Sequence, residues 1–285
     1  MSGLQRGEVA NRILSVGSMD RAFIIADQLQ GAEPGAPLFQ HLSGRGFLTI
    51  TGLYHGTPVS IITTLMGMPN MDFVVREARA VVDGQMAIVR LGTRDPDAWT
   101  FEDGRPYYTV SAPVPADPQL VQLLVAACNQ HGGASGVVEG LDATADSFYS
   151  SQGRTGGLFE DVNEAVIEQL MAQHPQLVSL EMETFHLLDL ARCSKGSIKA
   201  AAFCIAAAER YSNRFISTEQ IHVCERLGGA AALTALTQCS LTGAVSADGS
   251  SSSSSNGNGK SHALPAGDYV WVQRHPMAAV VKSQA

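Results

Sequence analysis

Charge is scarce in this chain of 285 residues: Asp, Glu, Lys and Arg make up 16% and aromatic residues 6%, whereas hydrophobic residues reach 45%. So little charge excludes a disordered or coiled-coil chain, and the apolar fraction suffices for a buried core. No run of Lys and Arg occurs, and 19 basic against 27 acidic residues leave a net charge of −8. The footprint of a phosphate-backbone binder is therefore missing, and nucleic acid is not an expected partner. The five cysteines, Cys128, Cys193, Cys204, Cys224 and Cys239, are odd in number and scattered, without a CxxC or His-rich spacing that would hold zinc. Buried free thiols in a reducing, cytoplasmic setting, with no metal, are the expectation. The longest apolar run, Ala200 to Ala208, falls far short of the ~20 residues that span a bilayer. The N-terminus, MSGLQRGEVANRIL, has no uninterrupted apolar stretch after its early charges. Neither secretion nor a membrane partner is expected.

What is present is alternation. Arg12 to Val16 reads as a strand, Gly17-Ser18 as a turn, and Phe23, Ile24, Ala26 and Leu29 as one face of a helix. Phe47 to Leu53 and Pro58 to Thr63 form a hairpin around His55-Gly56. Gly67-Met68-Pro69 leads into a helix to about Val81, followed by a strand from Met86 to Leu91. Asp117-Pro118 supplies an N-cap and a proline at the first helical position, ahead of a strand from Val137 to Leu141. Asp161 with Glu164, and Ser217 with Gln220, have capping-box spacing. Between the two helices they open lie a strand from Leu177 to Met182, a helix from Thr184 to Arg192 and a buried strand from Ile198 to Ile205. The order predicts a three-layer α/β/α domain around a central mixed sheet, over residues 10–242. Ser246 to Lys260 is a Ser/Gly/Asn stretch that cannot bury a core, so 243–285 reads as a linker and tail. Tyr269-Val270-Trp271-Val272 within it is apolar enough to dock, though composition alone reads as an extended tail with incidental aromatics.

Four places carry candidate chemistry, each just beyond a predicted strand, where open α/β sheets bind ligands. Gly17 to Arg21 either holds an anion on helix-start amides and one guanidinium, or is a plain turn with a solvated arginine. Arg90 and Thr93, in VRLGT, suit phosphate, or else mark an edge strand and its turn. Arg45, between Gly44 and Gly46, would alone be read as surface; with the other two arginines it suggests one polyanionic ligand. In FYSSQGR, Phe148 can stack on a planar heterocycle while Gln152 offers a donor and an acceptor and Arg154 donors only; the alternative is a polar loop with one buried aromatic. Glu181-Met182-Glu183 could place two carboxylates on one side of a strand. That pair reads either as a glycosidase acid and base, or as one acceptor for vicinal sugar hydroxyls beside one structural carboxylate.

Taken together, FYSSQGR, SLEMET, VGSMDR, SGR, VRLGT and TLMGMP resemble the nucleoside phosphorylase family, and specifically its uridine phosphorylases, from about Ile13 to Leu236. The resemblance implies phosphorolysis of uridine to uracil and ribose 1-phosphate, with phosphate as co-substrate and no cofactor. It implies Gly17, Arg21, Arg45, Arg90 and Thr93 as phosphate ligands, with Arg45 lent across the interface of a homodimer or larger homo-oligomer. Phe148, Gln152, Arg154 and Arg210 would hold uracil, Met182 and Glu183 the ribose, and Arg154, Glu183 and Arg90 would carry catalysis. Members continue after Leu-Gly-Thr into a glycine loop and a Val-rich strand, whereas Thr93 here runs into Arg94-Asp95-Pro96, so one strand is expected to be missing. That departure keeps one alternative open, a catalytically impaired binding or storage relative; a purine phosphorylase or nucleosidase is the other alternative, disfavoured by Gln152-x-Arg154 and by the three arginines.

Overall fold

Neighbouring residues with unlike destinations explain the layering. Ile13 and Leu14, Ile61 and Ile62, and Ile88 and Val89 are all buried, yet the members of each pair belong to different apolar clusters. Because successive side chains on a strand point to opposite faces, both faces of the sheet must be covered. The computed structural model describes residues 3–93, 110–132, 137–155, 158–209 and 214–242. Its strands β1 (Arg12–Val16), β2 (Phe39–Leu42), β3 (Leu48–Tyr54), β4 (Thr57–Thr63), β5 (Met86–Thr93) and β8 (Ile198–Ile205) form one sheet in the order β2-β3-β4-β1-β5-β8. β4, β1, β5 and β8 run parallel, while β3 is antiparallel to both β2 and β4. β6 (Leu141–Thr144) and β7 (Leu177–Glu181) make a separate parallel pair, and β9 (Ala208–Glu209) and β10 (Arg214–Phe215) a short antiparallel one.

Helices α1 (Met19–Ala26), α3 (Pro118–Gly132) and α6 (Thr218–Gln238) cover one face with Ala22, Ile25, Leu120, Leu124, Leu233 and Leu236. α2 (Met68–Val81) and α5 (Thr184–Cys193) cover the other with Met71, Val74 and Leu187. α4 (Val166–Gln173) packs Val166 and Leu170 on Leu180 of β7. α6 lies so close to α1 that a Cβ on Gly229 would come 2.5 Å from Cγ1 of Ile25, which accounts for a glycine inside a long helix. Arg12, the buried first residue of β1, donates to the carbonyls of Leu236 (2.9 Å) and Cys239 (3.1 Å), satisfying the last turn of α6.

The three-layer α/β/α architecture with a mixed central sheet agrees with the sequence. Asp117 Oδ1 accepts from Leu120 N (3.0 Å), and the box of Ser217 and Gln220 closes in both directions. Three expectations are corrected. The strand expected at Val137 to Leu141 runs instead from Leu141 to Thr144, because β7 offers a partner only from there. The box expected at Asp161 and Glu164 does not form; α4 begins after Ala165 without a side-chain cap. The strand expected to reach Met182 stops at Glu181, whose side chain turns to cap the next helix. β2 was not expected; Phe39 anchors it in the core just after the turn that holds Pro34 and Pro37. The segment after Thr93, on which the missing strand was expected, and the tail at 243–285 lie outside the described residues.

Candidate active site

Arg90 is a buried guanidinium on β5 between the core residues Val89 and Leu91, and its neighbours make the room for it. Its partners in register are Ser15 on β1 and Ala202 on β8, both small, and Gly92 next on its face would put a Cβ 3.6 Å from Arg90 Nε. Each nitrogen has a partner. Nε donates to Glu181 Oε2 (3.2 Å), Nη1 to Thr64 Oγ1 (3.1 Å) and Nη2 to Glu183 Oε2. Thr64 follows β4 and is fixed in turn by donating to the Val16 carbonyl (3.2 Å).

The two glutamates have different work. Glu181 Oε2 accepts from the Glu183 amide (2.7 Å), and Oε1 accepts from the Thr184 amide (2.8 Å) and the Thr144 hydroxyl (2.6 Å). It thus satisfies orphan N–H groups at the start of α5, where the helix dipole favours a negative charge. Glu183, one residue before that helix, instead faces Arg90 and accepts from the Gly67 amide through Oε1. Gly67 holds φ +95°, a conformation that favours glycine and here aims the amide at the carboxylate. Burial pushes the Glu183 carboxyl up to about 7, aided by the charge of Glu181 and opposed by Arg90.

Arg21 reaches the same end of β5 from α1. Ser18 caps the helix by accepting from the Arg21 amide (3.3 Å), while the Arg21 side chain donates to the Leu91 carbonyl (3.2 Å) and to buried Glu225 (2.8 Å). Gly17 lies at the turn where β1 ends. The structure therefore gathers Gly17, Arg21, Arg90, Glu183 and the backbone of Thr93 at the carboxyl ends of β1 and β5. It does not bring Arg45 there: that residue is exposed in the turn between β2 and β3. Arg210 lies outside the described residues.

The second half of the site grows from β6 through Thr144. Beyond that strand a one-turn helix, Ser150–Gln152, closes on Gly153 at φ +54°, and Gln152 is buried. Asn163 Nδ2 braces this loop through the carbonyls of Ser150 (3.2 Å) and Arg154 (3.0 Å). Arg154 Nε donates to the Phe148 carbonyl (2.9 Å) and its guanidinium lies 3.9 Å from the centre of the Phe148 ring. One face of that ring, expected to be open for stacking, is thus already covered by a cation–π contact. Met182, half-buried, separates the two glutamates. A cavity of about 1870 Å³ passes Thr144, Asp146, Ser151 and Thr184 and continues between α3, β8 and α6.

Four residues of this arrangement were not singled out from the sequence: Thr64, Thr144, Glu225 and Asp142. Asp142, on β6, has both carboxyl oxygens buried without a hydrogen-bond partner among the described residues. Its carboxyl is pushed up to about 7 by burial first and by the Glu181 charge second, while the hydroxyls of Ser179 and Thr184, close by but outside good hydrogen-bond geometry, oppose the shift. A carboxylate in an otherwise apolar strand was the available signal. Among the described residues no group of His, Cys, Asp and Glu is placed to hold a metal, and no helix is long and apolar enough to cross a membrane.

Fold and site together define an α/β protein with its charged groups collected beyond the carboxyl ends of parallel strands. The model of the phosphorylase superfamily matches residues 12–94 and 93–232, and the chain belongs to that superfamily, among the type I nucleoside phosphorylases. It is similar to a uridine phosphorylase of Thermococcus kodakarensis, 26% identical over 226 residues, which are 73% of this chain and 76% of that one. A solved structure described as one of two diverse uridine phosphorylases of the oomycete Phytophthora capsici is 38% identical. That likeness has a TM-score of 0.76 and covers 84% of this chain and 94% of that one. A Trypanosoma brucei nucleoside phosphorylase shares the fold at 21% identity and a TM-score of 0.62, over 83% of this chain and 97% of that one.

Proposed function

We propose that this nucleoside phosphorylase acts on uridine, converting uridine and phosphate to uracil and ribose 1-phosphate in a cytoplasmic setting. The observation that supports it most is the joining of the Gln152-x-Arg154 loop to the Arg90 cluster through Thr144 and Glu181. Gln152 offers the donor and acceptor pair that suits the uracil N3–H and O2, and Arg154 donates to O4. Phosphate on Gly17, Arg21, Arg90 and Thr93, with Arg45 from a neighbouring copy in a homo-oligomer, forms a bond to C1′ as the C1′–N1 bond breaks. The electron pair leaves with uracil, and Arg154 draws charge off the base before it takes a proton. Positioning and charge stabilisation carry the rate, with no metal or organic cofactor.

In this reading the ion pairs described above are the resting arrangement. Phosphate takes a donor of Arg90 from Glu183, which then accepts the ribose 2′- and 3′-hydroxyls while Met182 packs under the sugar. Phe148 stacks on uracil once Arg154 turns from its face to the base, and Arg210 is kept as a further uracil ligand on the family resemblance alone. Glu181, tied to two amides and a hydroxyl, stays structural. A purine substrate is the second reading, favoured by the 38% identity of a DeoD-type purine nucleoside phosphorylase of Streptococcus pneumoniae, which spans only 90 residues, 31% of this chain. Arg154→Ala separates the two. Uridine turnover falls by about two orders of magnitude or more, as when a transition-state charge stabiliser is removed, while circular dichroism is unchanged; undiminished turnover overturns the assignment.

A further inference from the structure

The turn of residues 64–67, between β4 and α2, is bent by two residues in the left-handed region, Leu65 at φ +54° and Gly67 at φ +95°. Glycine adopts such a conformation freely, whereas leucine does so at a cost, and a costly backbone persists only where its surroundings over-determine it. The surroundings of Leu65 do so. Just before it, the Thr64 amide (2.8 Å) and hydroxyl (3.2 Å) both donate to the Val16 carbonyl. Its side chain packs against the apolar cluster that includes Phe47, Met71 and Leu187. Its carbonyl lies against Gly17, where a Cβ would come 3.8 Å from it, and its Cδ1 would lie 3.8 Å from a Cβ on Gly46, next to Arg45.

We infer that Leu65 is a positioning residue for both substrates, its left-handed backbone setting the spacing between the arginine that holds phosphate and the glutamate that holds ribose. The residues on either side carry the connection. Thr64 Oγ1 accepts from Arg90 Nη1 (3.1 Å), and three residues on the Gly67 amide donates to Glu183 Oε1. A backbone dihedral re-aims everything after it. Turning Leu65 to negative φ therefore redirects the chain beyond Thr64, and the bonds of Thr64 to Arg90 and of Gly67 to Glu183 cannot both keep their geometry. The leucine side chain is apolar and offers no hydrogen bond to a substrate, so conformation carries the role. The inference rests on the proposed phosphorolysis, in which Arg90 takes phosphate and Glu183 the ribose hydroxyls.

Two substitutions separate conformation from side-chain contact. Leu65→Val keeps an apolar side chain but is β-branched and resists positive φ, whereas Leu65→Asn loses the apolar contact and tolerates the left-handed region. The valine variant should raise the KM for phosphate and the KM for uridine together, each about ten-fold or more, the loss expected of a misplaced charge-assisted hydrogen bond. The asparagine variant should rescue most of that loss in both. A purely structural role would lower the folded fraction, and with it kcat, while leaving both KM values in place. Isothermal titration calorimetry with inorganic phosphate alone should show the same ranking of affinities. If the valine variant does not fold, Leu65→Ala poses the same conflict in milder form and should fall in the same order. An unaltered chain that binds phosphate but leaves uridine intact fails the proposed reaction, and the calorimetric ranking still decides the inference. Undiminished phosphate affinity in the valine variant overturns the inference, as does an asparagine variant as impaired as valine, or an unaltered chain that binds no phosphate.

Discussion

Asp142→Asn should make the protein more stable, and increasingly so as the pH rises. The carboxyl of Asp142 is buried and faces the charge of Glu181, which together raise it from 3.8 to about 7 against the opposing pull of the Ser179 and Thr184 hydroxyls. Between those values the folded chain holds a proton that the unfolded chain has released. Stability is therefore fully present below the unfolded value and is lost as pH climbs through the folded one. At about 1.4 kcal/mol for each pKa unit, the three-unit difference costs about 4 kcal/mol above pH 7. Asparagine has nearly the same shape and no charge to bury, so it removes that loss. Urea unfolding of both proteins at pH 5 and pH 8 tests this: the advantage of the variant should grow by about 2–3 kcal/mol across that range. Glu183, raised for related reasons, leaves a residual slope in both proteins. Parallel stability curves, or a variant less stable at pH 8, would refute the reasoning that Asp142 is buried against its own ionisation.

Glu225→Ala strands the buried guanidinium of Arg21, whose carboxylate partner lies 2.8 Å away; the expected loss is about 3–5 kcal/mol by chemical denaturation, and a loss under about 1 kcal/mol argues against a committed ion pair. Arg45→Ala, at an exposed turn, should change stability by less than about 0.5 kcal/mol, yet raise the KM for phosphate about ten-fold if its guanidinium serves a neighbour's site. An unchanged phosphate KM removes Arg45 from that role.

Much of the fold was legible because local and tertiary signals agree. Ser217 with Gln220, Asp117-Pro118 and the β-branched runs at Ile13, Ile61 and Ile88 each point to the element that forms. Disagreement arose where pairing decides. Val137-Val138 has strand composition but no partner strand among the described residues, whereas Leu141–Thr144 has β7. Gly17, Arg21, Arg90 and Glu183 lie together at the carboxyl ends of β1 and β5, yet no motif hints that both arginines are paired with carboxylates. Glu225 is distant in the chain from Arg21, and Thr64 and Thr144 belong to no motif; only the register of β4, β5 and β6 brings such residues together. Phe148 shows the same limit, since an Arg six residues on can cover the ring it was expected to share with a base.

The central claim is that phosphate, not water, attacks the nucleoside. The ultraviolet absorbance of uridine followed with the purified protein, with and without inorganic phosphate, tests it most directly. The account predicts a decrease that requires phosphate and yields ribose 1-phosphate in amounts equal to uracil. A decrease that proceeds equally without phosphate would make the protein a hydrolase, and no decrease in either, from a folded protein, would contradict the proposed activity.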